Sequence, residues 1–337
     1  MNVRLRVSDL TVELPTPRGW VRPVNGVSFT LAAGEVLGIV GESGSGKTIL
    51  SLALMGLAPP GAKIRGGALL QLRPPSGHGA NPPVRELLGA APLEMRALRG
   101  RELAMIFQEP MTALDPVMRI GAQIAEAIRA HEPRLSSAEA RARVLRSLEL
   151  AAVPDPPRRA AQYPHQLSGG LRQRVMIAMA LSVSPGVLIA DEPTTALDVT
   201  LQKQILELLQ NLRRELHLSL LFITHDLGVV AQIADRVAVM YAGRIVEEGP
   251  VGEVLHRPRH PYTEGLLRAA PRLEAAKLVP IPGSVPPLDA LPPGCAFAPR
   301  CTKHMAECDS AVPPLLAASG NAENHLARCI LLRQSNT

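Results

Sequence analysis

The sequence predicts an α/β fold built on a parallel sheet, and three observations carry that prediction. Four short apolar runs, residues 36–40, 187–190, 220–223 and 237–240, read as buried strands. Between the second and third, Leu201, Ile205, Leu208, Leu209 and Leu212 are spaced for one face of a helix. Three of the runs lead into polar chemistry: a glycine-rich loop after Val40, Asp191 after Ala190, and His225 just past Ile223. Strands alternating with helices argue for a parallel sheet, whose ligand sites lie at the carboxyl ends of its strands.

The chain of 337 residues has room for one large domain or two. With 46% hydrophobic and 20% charged residues it has the composition of an ordinary globular protein. Aromatics are only 2%, so the core must come from Leu, Val, Ile, Ala and Met. Residues 1–15 hold no uninterrupted apolar stretch of the signal-peptide kind. The longest mostly apolar run, residues 177–190, is broken by Ser182, Ser184, Pro185 and Gly186 and is shorter than the roughly 20 residues a spanning helix needs. The expectation is a chain that does not itself cross a membrane. A net charge of +6 suits a membrane surface or a nucleic acid, but solvated surface Arg gives the same excess, so charge alone decides nothing.

Taken in order, residues 49–57 read as a helix after the glycine-rich loop, and residues 74–83 as a Pro/Gly-rich surface loop. Residues 85–165 look mainly helical, with Ile120, Ile124 and Ile128 at helical spacing and a second stretch at 138–150. Another helix is expected over 171–181. Beyond Gly249 prolines become frequent and an irregular appendage begins.

Gly41-Glu42-Ser43-Gly44-Ser45-Gly46-Lys47-Thr48 fits the P-loop pattern G-x-x-x-x-G-K-[ST]. The glycines let backbone N–H groups turn inward around phosphates, and the helix start behind them faces the anion with its partial positive charge. Lys47 can reach the β and γ phosphates, and the Thr48 hydroxyl can ligate Mg²⁺. The loop follows a predicted strand and precedes a helical run, the context the pattern requires. Asp191 and Glu192, adjacent acids at a buried strand end, repel one another unless a cation or reactant stabilises them. Beside a P-loop, Asp191 suits the metal shell and Glu192 suits the general base that polarises the attacking water. Hydrolysis, and not binding alone, is the expected activity.

Leu167-Ser168-Gly169-Gly170-Leu171-Arg172-Gln173 resembles the signature of ATP-binding cassette (ABC) proteins, with Leu171 where Gln is commoner. The resemblance covers about residues 4–255. It implies a P-loop NTPase cassette with a parallel-sheet core, an antiparallel β edge and a helical subdomain over about 85–165. It also implies that Ser168, Gly169 and Gly170 act on the ATP held by a second cassette. Gln108, in Phe107-Gln108-Glu109-Pro110, looks like the Q-loop glutamine that senses Mg²⁺ and water, flanked by a segment facing the membrane partner. Asp198, in Thr195-Ala196-Leu197-Asp198, resembles the D-loop, and His225, in Thr224-His225-Asp226, resembles the switch histidine at the γ-phosphate. The family stacks an aromatic on adenine; Trp20 is the only aromatic nearby, with Arg18 or Arg22 as alternatives.

Residues 256–337 form the expected second region. His260-Pro261-Tyr262-Thr263, Pro271, Ile281-Pro282-Gly283 and the stretch from Gly294 to Cys301 resemble the C-terminal extension of the oligopeptide/dipeptide branch of ABC importers, as does Met111-Thr112-Ala113-Leu114-Asp115-Pro116 upstream. Cys295, Cys301, Cys308 and Cys329 suggest a metal staple in a reducing compartment. The absence of a C-x2-C pair counts against a zinc ribbon. The resemblance implies a structural 4Fe–4S cluster on these thiols, with zinc or bare thiols as alternatives.

The branch further implies a second cassette (another subunit or a second copy), two permeases, an extracytoplasmic binding protein, and a place on the cytoplasmic face of the membrane. Di- or oligopeptides are the expected cargo, with nickel complexes, glutathione or sugars as alternatives. A cassette acting on nucleic acid or ribosomes is disfavoured, because the cassette is single and only 60 residues separate Gln108 from Ser168. A non-hydrolysing regulatory cassette is disfavoured by Glu192 and His225.

Overall fold

Two sheets of different character frame the molecule. The computed structural model describes residues 2–72, 82–109, 113–195, 197–269, 280–317 and 324–334. Strands β1 (Val3–Thr16), β2 (Gly19–Ala32), β4 (Lys63–Gln71) and β5 (Val84–Glu86) make an antiparallel sheet in the order β2-β1-β4-β5. The larger sheet has the order β11-β12-β10-β9-β3-β8-β7-β6. Its parallel part is β6 (Leu103–Ile106), β7 (Val187–Asp191), β8 (Ser219–Thr224), β3 (Val36–Val40) and β9 (Arg236–Tyr241). Antiparallel β10 (Arg244–Pro250), β12 (Leu326–Ala327) and β11 (Leu316–Ala317) continue it on one side.

The four predicted strands are all present, and alternation along them explains why they read as unbroken apolar runs. Val36, Val40, Leu188, Ala190, Leu220, Phe222, Val237 and Val239 enter one apolar cluster. Leu37, Ile39, Ile189, Leu221, Ile223, Ala238 and Met240 enter a second cluster with the antiparallel sheet and α1 (Lys47–Leu54). A parallel sheet covered on both faces has no polar side to show. The first cluster also takes the helical part, including α3 (Ile120–His131), which follows the short α2 (Pro92–Leu98), and α4 (Ser137–Leu150). Ile120, Ile124 and Ile128 are buried there as their spacing predicts. A capping box between Ser136 and Glu139 starts α4. After α5 (Pro156–Ala160) come α6 (Gly169–Leu181), α7 (Val199–Leu216) and α8 (Leu227–Ile233).

One difference from the sequence reading concerns position. Residues 85–165, expected to be mainly helical, contain a strand, β6, because a short apolar run set among helical patterns has no period of its own to mark it as extended. The C-terminal extension, expected to begin near 256, joins the main body. It follows α9 (Val251–His256) with α10 (Pro261–Ala269), and its β12 pairs with β10 through Glu247↔Ala327. Tyr262 and Phe297 belong to the same apolar cluster as Val40 and Tyr241. Much of the predicted 74–83 loop, Pro110 to Thr112 after Gln108, Ala196 and Pro271 lie outside the described residues. Among the described residues no helix is long and apolar enough to cross a membrane.

Candidate nucleotide site

The glycine-rich loop leaves β3 at Val40 and enters α1 at Lys47. Two of its glycines are demanded by space. A Cβ on Gly41 would lie 2.1 Å from the Met240 carbonyl oxygen, and one on Gly46, whose φ is +103°, would lie 1.8 Å from that of Pro23. The Gly243 amide donates to the Ser45 carbonyl at 3.0 Å. Lys47 is buried, its Nζ donating to the carbonyls of Gly41 (2.7 Å) and Glu42 (3.1 Å) and lying 3.4 Å from Ser45 Oγ. Burial pushes the Lys47 pKa below its ordinary value, against the pull of Glu192 and Asp191. Ser43, Gly44 and Thr48 are exposed, so the loop is open on the side where phosphates would enter.

Adjacent strands aim the remaining residues at the same place. Asp191 ends β7 and is buried; burial raises its pKa, while hydrogen bonds from Thr48 and Ser51 lower it. Its Oδ2 lies 3.4 Å from Ser51 Oγ, and its buried Oδ1 has no hydrogen-bond partner. A buried carboxylate oxygen left bare is costly unless a cation completes it. Oxygen ligands beside the Thr48 hydroxyl fit Mg²⁺.

Glu192 follows with φ +46°, a left-handed conformation that a non-glycine residue holds only when its surroundings impose it. Its Oε2 is 2.8 Å from Thr195 Oγ1, 3.3 Å from Gln108 Nε2 and 3.3 Å from His225 Nδ1. Gln108 comes from beyond β6 and His225 from beyond β8, so β6, β7 and β8 converge on one carboxylate. Thr195 and Ser51 were not singled out from the sequence. Thr195 sits three residues after Glu192 on the turn, a spacing that was open to notice.

The signature stretch stands apart. Ser168 caps α6, accepting from the Leu171 amide at 3.4 Å. Ser168 and Gly169 are exposed, and a Cβ on Gly169 would meet nothing within 4 Å. Gly170 instead packs on Leu201. Asp198 caps α7, accepting from the Leu201 amide at 2.9 Å, and the next residue, Val199, is 82% exposed. Trp20, near the end of the β1–β2 hairpin, is half exposed with Lys63 Nζ 3.8 Å over its ring. Of its two alternatives, Arg22 binds Glu13 at 2.8 Å and Arg18 lies 3.6 Å from Asp289.

Cys295, Cys301, Cys308 and Cys329 are free thiols. Burial, with the neighbouring thiols adding to it, pushes the Cys329 pKa up to about 11 and raises those of Cys295 and Cys301. The fold therefore brings the four near one another. Among the described residues, however, no group of three or more His, Cys, Asp or Glu forms a metal-holding set. The expected staple, whether 4Fe–4S or zinc, gains no support from the geometry.

Comparison with known proteins gives a consistent answer. The profile of the family "ABC transporter" matches residues 24–195, and that of "Oligopeptide/dipeptide transporter, C-terminal region" matches residues 246–308. The chain is 48% identical over 333 residues to the dipeptide transport ATP-binding protein DppD of Bacillus subtilis, covering 98% of this chain and 95% of that one. It is 50% identical over 320 residues to the oligopeptide transport ATP-binding protein OppD of Salmonella typhimurium, covering 94% and 91%. Among solved structures, the dimeric, post-hydrolysis ATP-binding cassette MJ0796 bound to ADP and Pi superimposes with a TM-score of 0.62 at 26% identity, over 73% of this chain and 98% of that one. The chain belongs to the ABC transporter family, as an ATP-hydrolysing subunit of its oligopeptide/dipeptide branch.

Proposed function

We propose that the chain binds MgATP on loop 41–48 and hydrolyses it to drive uptake of di- or oligopeptides through partner permeases. The observation that carries the hydrolytic site is the convergence of Gln108, Thr195 and His225 on Glu192, beside the bare Oδ1 of Asp191. In this reading the loop amides and Lys47 hold the phosphates, while Thr48, Asp191 and Gln108 hold Mg²⁺, which supplies charge neutralisation. Glu192, oriented by the Thr195 and Gln108 donors, takes the proton of the attacking water, and the neighbouring His225 reaches the γ-phosphate. Trp20 is the adenine-stacking candidate, which requires Lys63 to leave the ring or the nucleotide to take the opposite face.

The helix start at Ser168, Gly169 and Gly170, exposed at its first two residues, then serves the ATP of a second cassette, with Asp198 at the shared interface. The dimeric state of MJ0796 supports this pairing. A permease contact is supported by an apolar groove of about 390 Å³ beside Gln108, lined by Met55, Leu57, Phe107, Met176 and Met179. Such a subunit sits on the cytoplasmic face of the membrane, and an extracytoplasmic binding protein delivers the cargo. The peptide cargo rests on the names of DppD and OppD. The division into a cassette, 1–255, and an extension, 256–337, remains part of the proposal. So does a 4Fe–4S cluster on the four cysteines, which iron and acid-labile sulfide analysis of anaerobically purified protein tests directly.

The test of the whole reading is ATP hydrolysis by the chain reconstituted with its permeases, with and without binding protein loaded with short peptides. Peptide-stimulated turnover that falls by about 10²–10⁴-fold in Glu192→Gln is the expected result. Turnover that depends on Glu192 but ignores peptides would refute the cargo. Turnover that survives Glu192→Gln would refute the site.

A further inference from the structure

We infer that two residues of the C-terminal extension, Tyr262 and Arg300, are positioning residues of the nucleotide loop, acting through Glu42. Every hydrogen-bonding part of Glu42 is engaged. Its amide donates to Tyr262 Oη at 2.9 Å. Its carbonyl accepts from Lys47 Nζ at 3.1 Å and from the Ser45 amide at 3.2 Å. Its carboxylate is gripped on both oxygens by Arg300, at 2.7 Å through Nη1 and 3.0 Å through Nη2. One residue therefore joins the extension to the lysine that faces the phosphates.

The grip comes from a rigid base. Arg300 has a side chain only 4% exposed, and its Nε donates to the Pro282 carbonyl at 2.9 Å. Tyr262 is fully buried, with its ring 4.5 Å from that of Tyr241 and 5.3 Å from that of Phe297. A guanidinium fork fixed in this way meets a carboxylate in two parallel bonds and tolerates little displacement. A buried cation is also unfavourable without its partner, so the pair resists opening from the Arg300 side. The Glu42 carbonyl is held in place at both flanks of its residue, and Lys47 Nζ is held with it. A loop whose lysine and amides are already arranged loses less freedom when it closes on phosphates. Sequence spacing alone does not reveal this link, because 258 residues separate the two partners.

The inference rests on the reading of loop 41–48 as the nucleotide site, and the experiment separates the two. Equilibrium binding of a fluorescent ATP analogue to the full chain, and steady-state ATPase of the reconstituted complex, are measured for Arg300→Lys, Tyr262→Phe, Glu42→Gln and the Glu42→Gln/Arg300→Lys double variant. Arg300→Lys keeps the charge and loses the fork, and Tyr262→Phe keeps the ring and loses only the hydroxyl. Arg300→Lys is expected to raise Kd and KM about five- to tenfold, with kcat within about twofold. Tyr262→Phe is expected to raise them about threefold. The double variant should be no weaker than the weaker single, because both substitutions remove one interaction. Unchanged affinity in variants that melt like the wild type would overturn the inference, and so would losses that add in the double variant. If Lys47→Ala binds the analogue as well as the wild type, the loop reading fails first and the inference goes with it.

Discussion

Two helices of this chain begin on glycine-rich turns, and the protein surrounds them in opposite ways. At Lys47 the turn is enclosed by the carbonyls of Pro23 and Met240, by the Gly243 amide, and by Tyr262 and Arg300 from the far end of the chain. At Gly169 the turn is bare, and the local contact that shapes it is the Ser168 cap. Both helix ends offer the same partial positive charge to an anion. The difference is that the first is walled by long-range packing, while the second is left open, which in the proposed reading makes it a half-site that a second cassette finishes.

The largest expected effect tests that contrast head-on. Lys47→Ala should weaken ATP binding by the isolated chain about 10²-fold, since it removes the cation that the proposed reading sets against the phosphates. Gly169→Asp places a carboxylate at the bare helix start. It should leave that affinity within about twofold yet abolish ATP-driven pairing of cassettes, read by light scattering in the Glu192→Gln background. If Gly169→Asp weakens binding in the isolated chain as much as Lys47→Ala does, the two starts serve one site and the contrast collapses.

The same contrast marks what the sequence could and could not disclose. Gly41 to Thr48, Asp191-Glu192 and Leu167 to Gln173 are local patterns, and each residue type carries its task in its own chemistry. The meeting of Gly41 to Thr48 with Asp191-Glu192 at the carboxyl ends of one parallel sheet was legible, because parallel strands bury both faces and announce themselves as apolar runs. The contacts from Tyr262 and Arg300 were not legible, since nothing in a proline-rich extension says which loop it will touch. β6 was missed for a related reason: a short apolar run has no period that separates strand from helix, and the stretch around it reads as helical. Four cysteines announced a ligand set, yet the fold brings the thiols together without forming a metal-holding group among the described residues. Spacing along a chain fixes ligand types and leaves their geometry open.

The wall around the first helix start has an acid-sensitive seam of intermediate size. His260 is fully buried where the extension meets β10, and its Nδ1 accepts the Tyr262 amide at 3.1 Å, so the ring is held neutral. Glu247 favours its protonation and Arg328 opposes it, but burial dominates and lowers the pKa to about 4. Above about pH 6.5 the ring is neutral in both folded and unfolded chains and full stability is present. As pH falls toward 4, the unfolded chain takes a proton that the folded one refuses, and about 3 kcal/mol is lost across that window. Melting temperatures of wild type and His260→Asn, followed from pH 7.5 to 4, should converge as the pH drops. A wild-type decline that the variant reproduces in full would assign the acid sensitivity elsewhere.

The smallest expected effect separates two tasks of one side chain. Ser168 both caps α6 and, in the proposed reading, offers its hydroxyl to the ATP of the second cassette. Ser168→Ala removes both, with a loss of about 1 kcal/mol from the cap and no change in the ATP affinity of the isolated chain. Ser168→Asp keeps a cap acceptor for the Leu171 amide, and a carboxylate at that position also suits the helix end. That variant should melt like the wild type while its negative charge repels the phosphates of the opposing half-site. If Ser168→Asp pairs normally on ATP, Ser168 is only a cap, and the bare helix start owes its exposure to something other than a waiting nucleotide.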